Sequence, residues 1–133
     1  KDTTLRIVDY KTGGSPKTPA NIEQLFTPSE TRPNYIFQTF LYAAIMSRQQ
    51  SLKVAPSLLY IHRAASESYS PVIEMGEPRQ PKIPVSNFAF FEDEFRERLQ
   101  RLLEEIFDEN EPFTQTEDTK KCAYCDFKAI CKR

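Results

Sequence analysis

The order of apolar and polar positions predicts a short strand, a long irregular connection, a buried helix, two further strands and an amphipathic helix. Thr3 to Tyr10 (TTLRIVDY) is rich in β-branched and aromatic residues and gives way to Thr12-Gly13-Gly14, the pattern of a largely buried strand entering a turn, with residues 1–12 as its segment. Across 13–33 the prolines Pro16, Pro19, Pro28 and Pro33 suppress any periodicity, so this stretch reads as a loop long enough to be functional or disordered. From Asn34, a plausible N-cap after Pro33, the residues Tyr35, Ile36, Phe37, Phe40, Leu41, Ala43, Ala44 and Ile45 leave hardly any polar face. A helix over 34–50, buried on most sides, is predicted.

Within 57–90, Ser57 to Arg63 and Tyr69 to Met75 read as strands, Pro71 pushing the second towards a sheet edge. Over 91–110, Phe91, Phe95, Leu99, Leu102, Leu103, Ile106 and Phe107 recur at helical spacing opposite a charged face. Glu92/Arg96, Glu94/Arg98 and Glu97/Arg101 on that face are i,i+4 pairs in the favourable orientation, the mark of a solvated helix surface. Residues 111–133 form a polar and then cysteine-bearing tail.

Composition narrows the class. The 133 residues are 39% apolar and carry 18 Lys+Arg against 19 Asp+Glu, a formal net charge of -1. That is ordinary globular composition for a single domain, with no overall basic field to attract a polyanion. A local basic patch does occur, where Lys120, Lys121, Lys128, Lys132 and Arg133 face a single acid, Asp126. No apolar run approaches the ~18 residues of a membrane span, so no membrane partner is expected. The chain opens on Lys1-Asp2-Thr3, with neither a signal peptide nor a natural start, and is expected to be an excised piece. Its three cysteines are odd in number and crowded into the last twelve residues, which points to a metal or cluster site in a reducing, cytoplasmic setting rather than to disulfides.

Three constellations could carry chemistry. Asp9 and Lys11 project from the same face of the first strand, where a carboxylate can hold a divalent cation and an ammonium can orient water or offset charge on a phosphoryl group. Taken alone, the pair reads first as a surface ion pair. The chain contains three acid-x-Lys tripeptides, and only this one ends an apolar strand. Gln38 and Tyr42 lie one turn apart on the second element, either as interior polar groups satisfied by backbone or as side chains that reach a nucleic-acid strand. Cys122-x2-Cys125-x5-Cys131 offers three soft ligands where zinc or an iron–sulfur cluster normally takes four. His62, the only histidine, reads as an ordinary mid-strand residue rather than the fourth.

In this order, Ile7-Val8-Asp9-Tyr10-Lys11-Thr12-Gly13, then Gln38-x3-Tyr42, then the cysteine triplet, the sequence resembles the RecB-type nuclease domain of the PD-(D/E)XK superfamily. The resemblance is to its iron–sulfur branch, which includes AddB helicase-nuclease subunits and CRISPR-associated RecB-like exonucleases. It implies an α/β (α+β) fold, a partial restriction-endonuclease-like core with a mixed sheet flanked by helices and a cysteine-rich tail. It implies Asp9 as a metal ligand, Lys11 as the catalytic lysine, and Gln38 and Tyr42 as accessory site residues near DNA. Cys122, Cys125 and Cys131 would hold a [4Fe-4S] cluster, zinc being the alternative, with the fourth ligand outside this chain. Family members carry upstream of the D-x-K strand a further acidic or histidine ligand, a first conserved Asp and the first cluster cysteine. None of these is present here.

The expectation is therefore the C-terminal part of an Mg²⁺- or Mn²⁺-dependent deoxyribonuclease, an exonuclease in repair or recombination. Its partners would be DNA, the rest of its own polypeptide and a helicase domain or subunit, and the fragment alone would be inactive. The alternative is a non-catalytic DNA-binding or protein-interaction module that keeps the fold and has lost the chemistry.

Overall fold

The computed structural model describes residues 3–49 and 51–132, so Lys1, Asp2, Arg133 and the predicted helix end at Gln50 lie outside the described residues. The chain divides into two compact units, Lys1–Leu103 and Glu104–Arg133.

In the first unit, β1 (Thr4–Lys11) pairs in parallel with β2 (Lys53–Tyr60), in a register running from Thr4 opposite Lys53 to Lys11 opposite Tyr60. Parallel strands need a long crossover. Here it contains α1 (Glu23–Phe26) and α2 (Asn34–Gln49). The connection predicted as a loop is thus partly structured, with Pro19, Ile22 and Leu25 buried: apolar residues among the prolines dock although the prolines forbid a long element. Pro33 sets the start of α2, its carbonyl accepting the amides of Ile36 and Phe37 at 3.0 and 3.1 Å.

α2 is not buried on most sides. Ile36, Thr39, Phe40, Ala43 and Ala44 are buried, whereas Tyr35, Gln38, Tyr42 and Ile45 are exposed, because α2 backs onto the β1–β2 pair along one stripe only. β1 likewise departs from expectation: none of its residues is fully buried, since among the described residues it has one neighbouring strand. β2 is the strand that is buried, from Val54 to Leu58 and at Tyr60.

The predicted strand over 57–63 begins earlier and ends at Tyr60, where the chain tightens into a 3-10 turn, Ile61–Arg63, so His62 is not mid-strand but exposed on that turn. The predicted strand over 69–75 shrinks to β3 (Glu74–Met75), antiparallel to β4 (Ile83–Pro84). The residues before β3 follow the free side of β2 by other means. The Tyr69 hydroxyl donates to the Leu58 carbonyl at 2.7 Å and accepts the Tyr60 amide at 2.8 Å, and the Leu58 amide reaches the Pro71 carbonyl at 2.8 Å. With Pro71 lacking a donor, a side-chain hydroxyl takes over part of the ladder.

The amphipathic helix forms as α3 (Ala89–Phe107), two residues earlier at its start than its apolar repeat and three shorter at its end. The Asn87 side chain accepts the Ala89 amide at 3.2 Å at its entry. Its Phe95 is fully buried among Phe26, Phe37, Phe40 and Phe88, with ring centroids 5.3 to 5.9 Å away in tilted and edge-on arrangements. Each such aromatic pair contributes about 0.5–1.5 kcal/mol beyond the area it buries. This cluster locks α2 to α3. Arg96 adds a polar clamp, its guanidinium reaching the Ala44 carbonyl, the Ser47 hydroxyl at 3.2 Å and the Glu92 carboxylate at 2.7 Å.

The second unit holds α4 (Thr119–Cys122) and a series of turns, with the Gln115 side-chain amide donating to the Cys131 carbonyl at 3.1 Å. None of its described residues is buried. No helix among the described residues is long and apolar enough to cross a membrane.

Candidate active site

Strand alternation sends Asp9 and Lys11 to one side of β1 at the end of the β1–β2 ladder. There they meet the first turns of α2, whose residues 35, 38 and 39 stand at i, i+3 and i+4 and so share a helix face. The Lys11 ammonium lies 2.9 Å from Asp9 Oδ2, donates to Gln38 Oε1 at 2.7 Å, and sits 4.3 Å from the centre of the Tyr35 ring. Two of its three N–H groups are committed. The third is left for the ring face or for the oxygen of a ligand.

Thr39, fully buried, supports this arrangement from behind: its hydroxyl donates to the Tyr35 carbonyl at 2.8 Å and lies 3.4 Å from Asp9 Oδ2. The Asp9 and Lys11 side chains retain 15% and 14% of their exposure, so the pair is partly desolvated yet reachable. The glycine turn also has a specific task. Gly14 has φ +80°, and a Cβ there would stand 2.9 Å from Tyr35 Cε2, so the turn approaches the ring that covers Lys11 as no other residue could.

Of the residues singled out in the sequence, Asp9, Lys11 and Gln38 come together. Tyr42 does not join them: it is 40% exposed one turn farther along α2 and takes no part in holding the ammonium. Tyr35 and Thr39 join the site without having stood out in the sequence. The signal that could find them is their i−3 and i+1 placement around Gln38, which puts all three on the face that meets β1. Tyr60, opposite Lys11 in the ladder, has its phenol pushed above the ordinary tyrosine value, first by burial and then by the Tyr69 and Tyr35 phenols and the Asp9 charge, with Arg63 pulling the other way.

The donors present bear on the metals that the sequence suggests. A hard divalent cation takes about six to eight oxygen ligands. Asp9 brings one carboxylate, already engaged by Lys11, and no group of three His, Cys, Asp or Glu able to hold a metal is gathered among the described residues. The described residues do not by themselves fit such an ion. The same holds for the cysteines. Cys122, Cys125 and Cys131 are free thiols, the Cys125 amide bonded to the Cys122 carbonyl at 3.1 Å and the Cys131 amide to the Phe127 carbonyl at 3.3 Å, but the three sulfurs do not form a ligand group.

Neither the curated proteins nor the solved structures contain a match to this chain. A family model described as the PD-(D/E)XK nuclease superfamily matches residues 1–132. Because that match runs from β1, with its Asp9 and Lys11, through the cysteine tail, the chain belongs to the PD-(D/E)XK nuclease superfamily.

Proposed function

We propose that this chain is the C-terminal part of a metal-dependent deoxyribonuclease in which Asp9, Lys11 and Gln38 form the part of the catalytic site contributed here. The observation that carries the reading is the lysine ammonium held at 2.9 Å from Asp9 and 2.7 Å from Gln38 at the end of a parallel strand. A lysine so held keeps its long side chain in one geometry and presents fixed positive charge, which stabilises negative charge developing on a phosphoryl group. Gln38 accepts from Lys11 through its carbonyl oxygen, so its amide N–H groups remain to donate to a phosphate oxygen. Tyr42, one turn along α2, is proposed to contact the nucleic-acid strand outside the reacting centre.

Dependence on Mg²⁺ or Mn²⁺ is part of the proposal and follows from the resemblance. Among the described residues Asp9 is the ligand proposed here, and a divalent ion takes several oxygen ligands, so the chain alone is expected to be inactive. Exonucleolytic action in repair or recombination, alongside a helicase domain or subunit in the cytoplasm, is proposed on the same resemblance. Cys122, Cys125 and Cys131 are proposed as three ligands of a [4Fe-4S] cluster, or of zinc. The tail unit supports this, since none of its described residues is buried, and small units without a core usually depend on a metal or a cross-link.

The test is hydrolysis of end-labelled DNA by the complete polypeptide with Mg²⁺ or Mn²⁺, before and after Lys11→Ala. A loss of about 10²-fold or more with the fold retained is expected. An unchanged rate would refute the assignment. The incomplete ligand set favours a second reading, a DNA-binding module without chemistry. It predicts DNA binding with no metal-dependent cleavage in the complete polypeptide.

A further inference from the structure

Among the contacts of the Lys11 ammonium, Tyr35 alone offers a ring in place of an oxygen. The Lys11 Nζ stands over that ring at 4.3 Å from its centre, inside the ~6 Å over which the negative face of an aromatic ring attracts a cation. With the Lys11 side chain 14% exposed, water competes little for the charge, and the attraction is stronger than at an open surface.

Tyr35 itself has little room to move. It is the second residue of α2, and its carbonyl accepts the Thr39 hydroxyl at 2.8 Å. Its ring centre lies 6.4 Å from that of the buried Tyr60, and the Gly14 turn comes so near that a Cβ there would stand 2.9 Å from Tyr35 Cε2. Gly14 follows Lys11 by three residues, so the end of β1 supplies both the ammonium and the turn that confines the ring. A tyrosine with two χ angles loses little conformational entropy when held, whereas the lysine stem is four flexible carbons. The rigid ring can therefore fix the flexible stem.

We infer that Tyr35 is a positioning residue, whose ring face holds the Lys11 ammonium in the site and leaves its third N–H to turn to a phosphoryl oxygen. An oxygen acceptor in the same place would commit that N–H, and a carboxylate there would offset the charge as well. Water in that place would draw the ammonium towards solvent. The ring attracts the charge through its quadrupole and makes no directional bond that a phosphate would have to break. Any effect of Tyr35 on the reaction passes through Lys11, so the inference rests on the nuclease reading above for its consequence in catalysis, but not for the contact itself.

The contact is read by proton-carbon correlation NMR of the full chain in EDTA, with lysine isotope-labelled at Cε and the Lys11 signal identified by its absence from Lys11→Met. The Cε protons, one bond from Nζ, are shielded by the ring current and expected upfield of the other lysines. Tyr35→Leu should abolish that displacement, and Tyr35→Phe, which keeps the ring, should retain it. The consequence is read as DNA cleavage by the complete polypeptide. There Tyr35→Leu should lower kcat about five- to tenfold, the rate equivalent of such a contact, with KM little changed and the full rate kept in Tyr35→Phe. In a Lys11→Met background the same change should cost nothing further, which a merely structural role would not produce. Tyr35 is 39% exposed, so its variants should fold, and the wild-type signal tests the contact without any substitution. An undisplaced Lys11 signal in the wild type, a full rate in Tyr35→Leu, or equal rate losses with and without Lys11 would overturn the inference. A displaced signal, lost in Tyr35→Leu, with no cleavage by the complete polypeptide would remove the nuclease reading and leave the contact standing. Cleavage lost in Lys11→Ala with an undisplaced signal would do the reverse.

Discussion

If Asp9 and Lys11 form one charged unit rather than two neighbouring surface groups, a double-mutant cycle on stability will register it. The variants are Asp9→Ala, Lys11→Met and the double. Each single change breaks the 2.9 Å contact and one bond more: Asp9→Ala also removes the acceptor 3.4 Å from Thr39, and Lys11→Met removes the donor to Gln38. Those additional losses recur in the double variant and cancel, which leaves the pair term. Exposed ion pairs give about 0.2–1 kcal/mol in such cycles, and removing one partner of a fully buried pair costs about 3–5 kcal/mol. With the two side chains 14% and 15% exposed, the Asp9–Lys11 term belongs between these, at about 1–3 kcal/mol. Urea titrations at neutral pH supply the four stabilities, provided the slope m stays constant across them. Additivity within about 0.3–0.5 kcal/mol would mean that the partly desolvated contact has no energetic weight, and the pair would revert to a surface ornament.

Phe95→Ala empties the centre of the phenylalanine cluster and should cost about 3–5 kcal/mol, read as a lower urea midpoint; a loss under about 1 kcal/mol would show that the cluster does not join α2 to α3. Gly14→Ala introduces a Cβ at φ +80° and 2.9 Å from the Tyr35 ring, with an expected loss of about 1–2 kcal/mol; adding Tyr35→Ala should remove the steric share and leave the conformational one. The raised phenol of Tyr60 gives stability a sign with pH. Its folded value lies above the unfolded one, so its contribution is complete below about pH 10 and is lost as pH rises through the folded value. Thermal melts between about pH 9 and 11 should fall more steeply for the wild type than for Tyr60→Phe, and identical slopes would exclude Tyr60 as the source.

Part of the site is legible in the order of residues alone. Alternation along a strand is a property of one backbone segment, so Asp9 and Lys11 have to share a face, and Gly13-Gly14 has to end that strand nearby. Helical repetition places α3 to within a few residues for the same reason, and sets Gln38 and Tyr42 on one face of α2. The burial of α2 is not legible in this way, because an apolar helix face records what a residue tolerates, not what covers it: Tyr42 and Ile45 stay 40% and 50% exposed. Nor is the fate of residues 69–75, because Tyr69 pairs with β2 through its hydroxyl, which no backbone propensity encodes.

Local periodicity thus determined which residues leave each element together, and the D-x-K, Q-x3-Y and cysteine spacings that underlie the resemblance. Their partners were decided elsewhere. That Lys11 meets Gln38 and the Tyr35 ring depends on how α2 lies across the β1–β2 ladder, and that placement is held by Phe40 and Phe95 packing over separations that no local pattern spans. The ring contacts of Tyr60 with Tyr35 and with His62 arise in the same way, between a strand end, a helix and the turn after the strand. Backbone geometry repeats within an element and is readable from the order of residues; contacts between elements follow from side-chain packing in three dimensions, and only the folded chain supplies them.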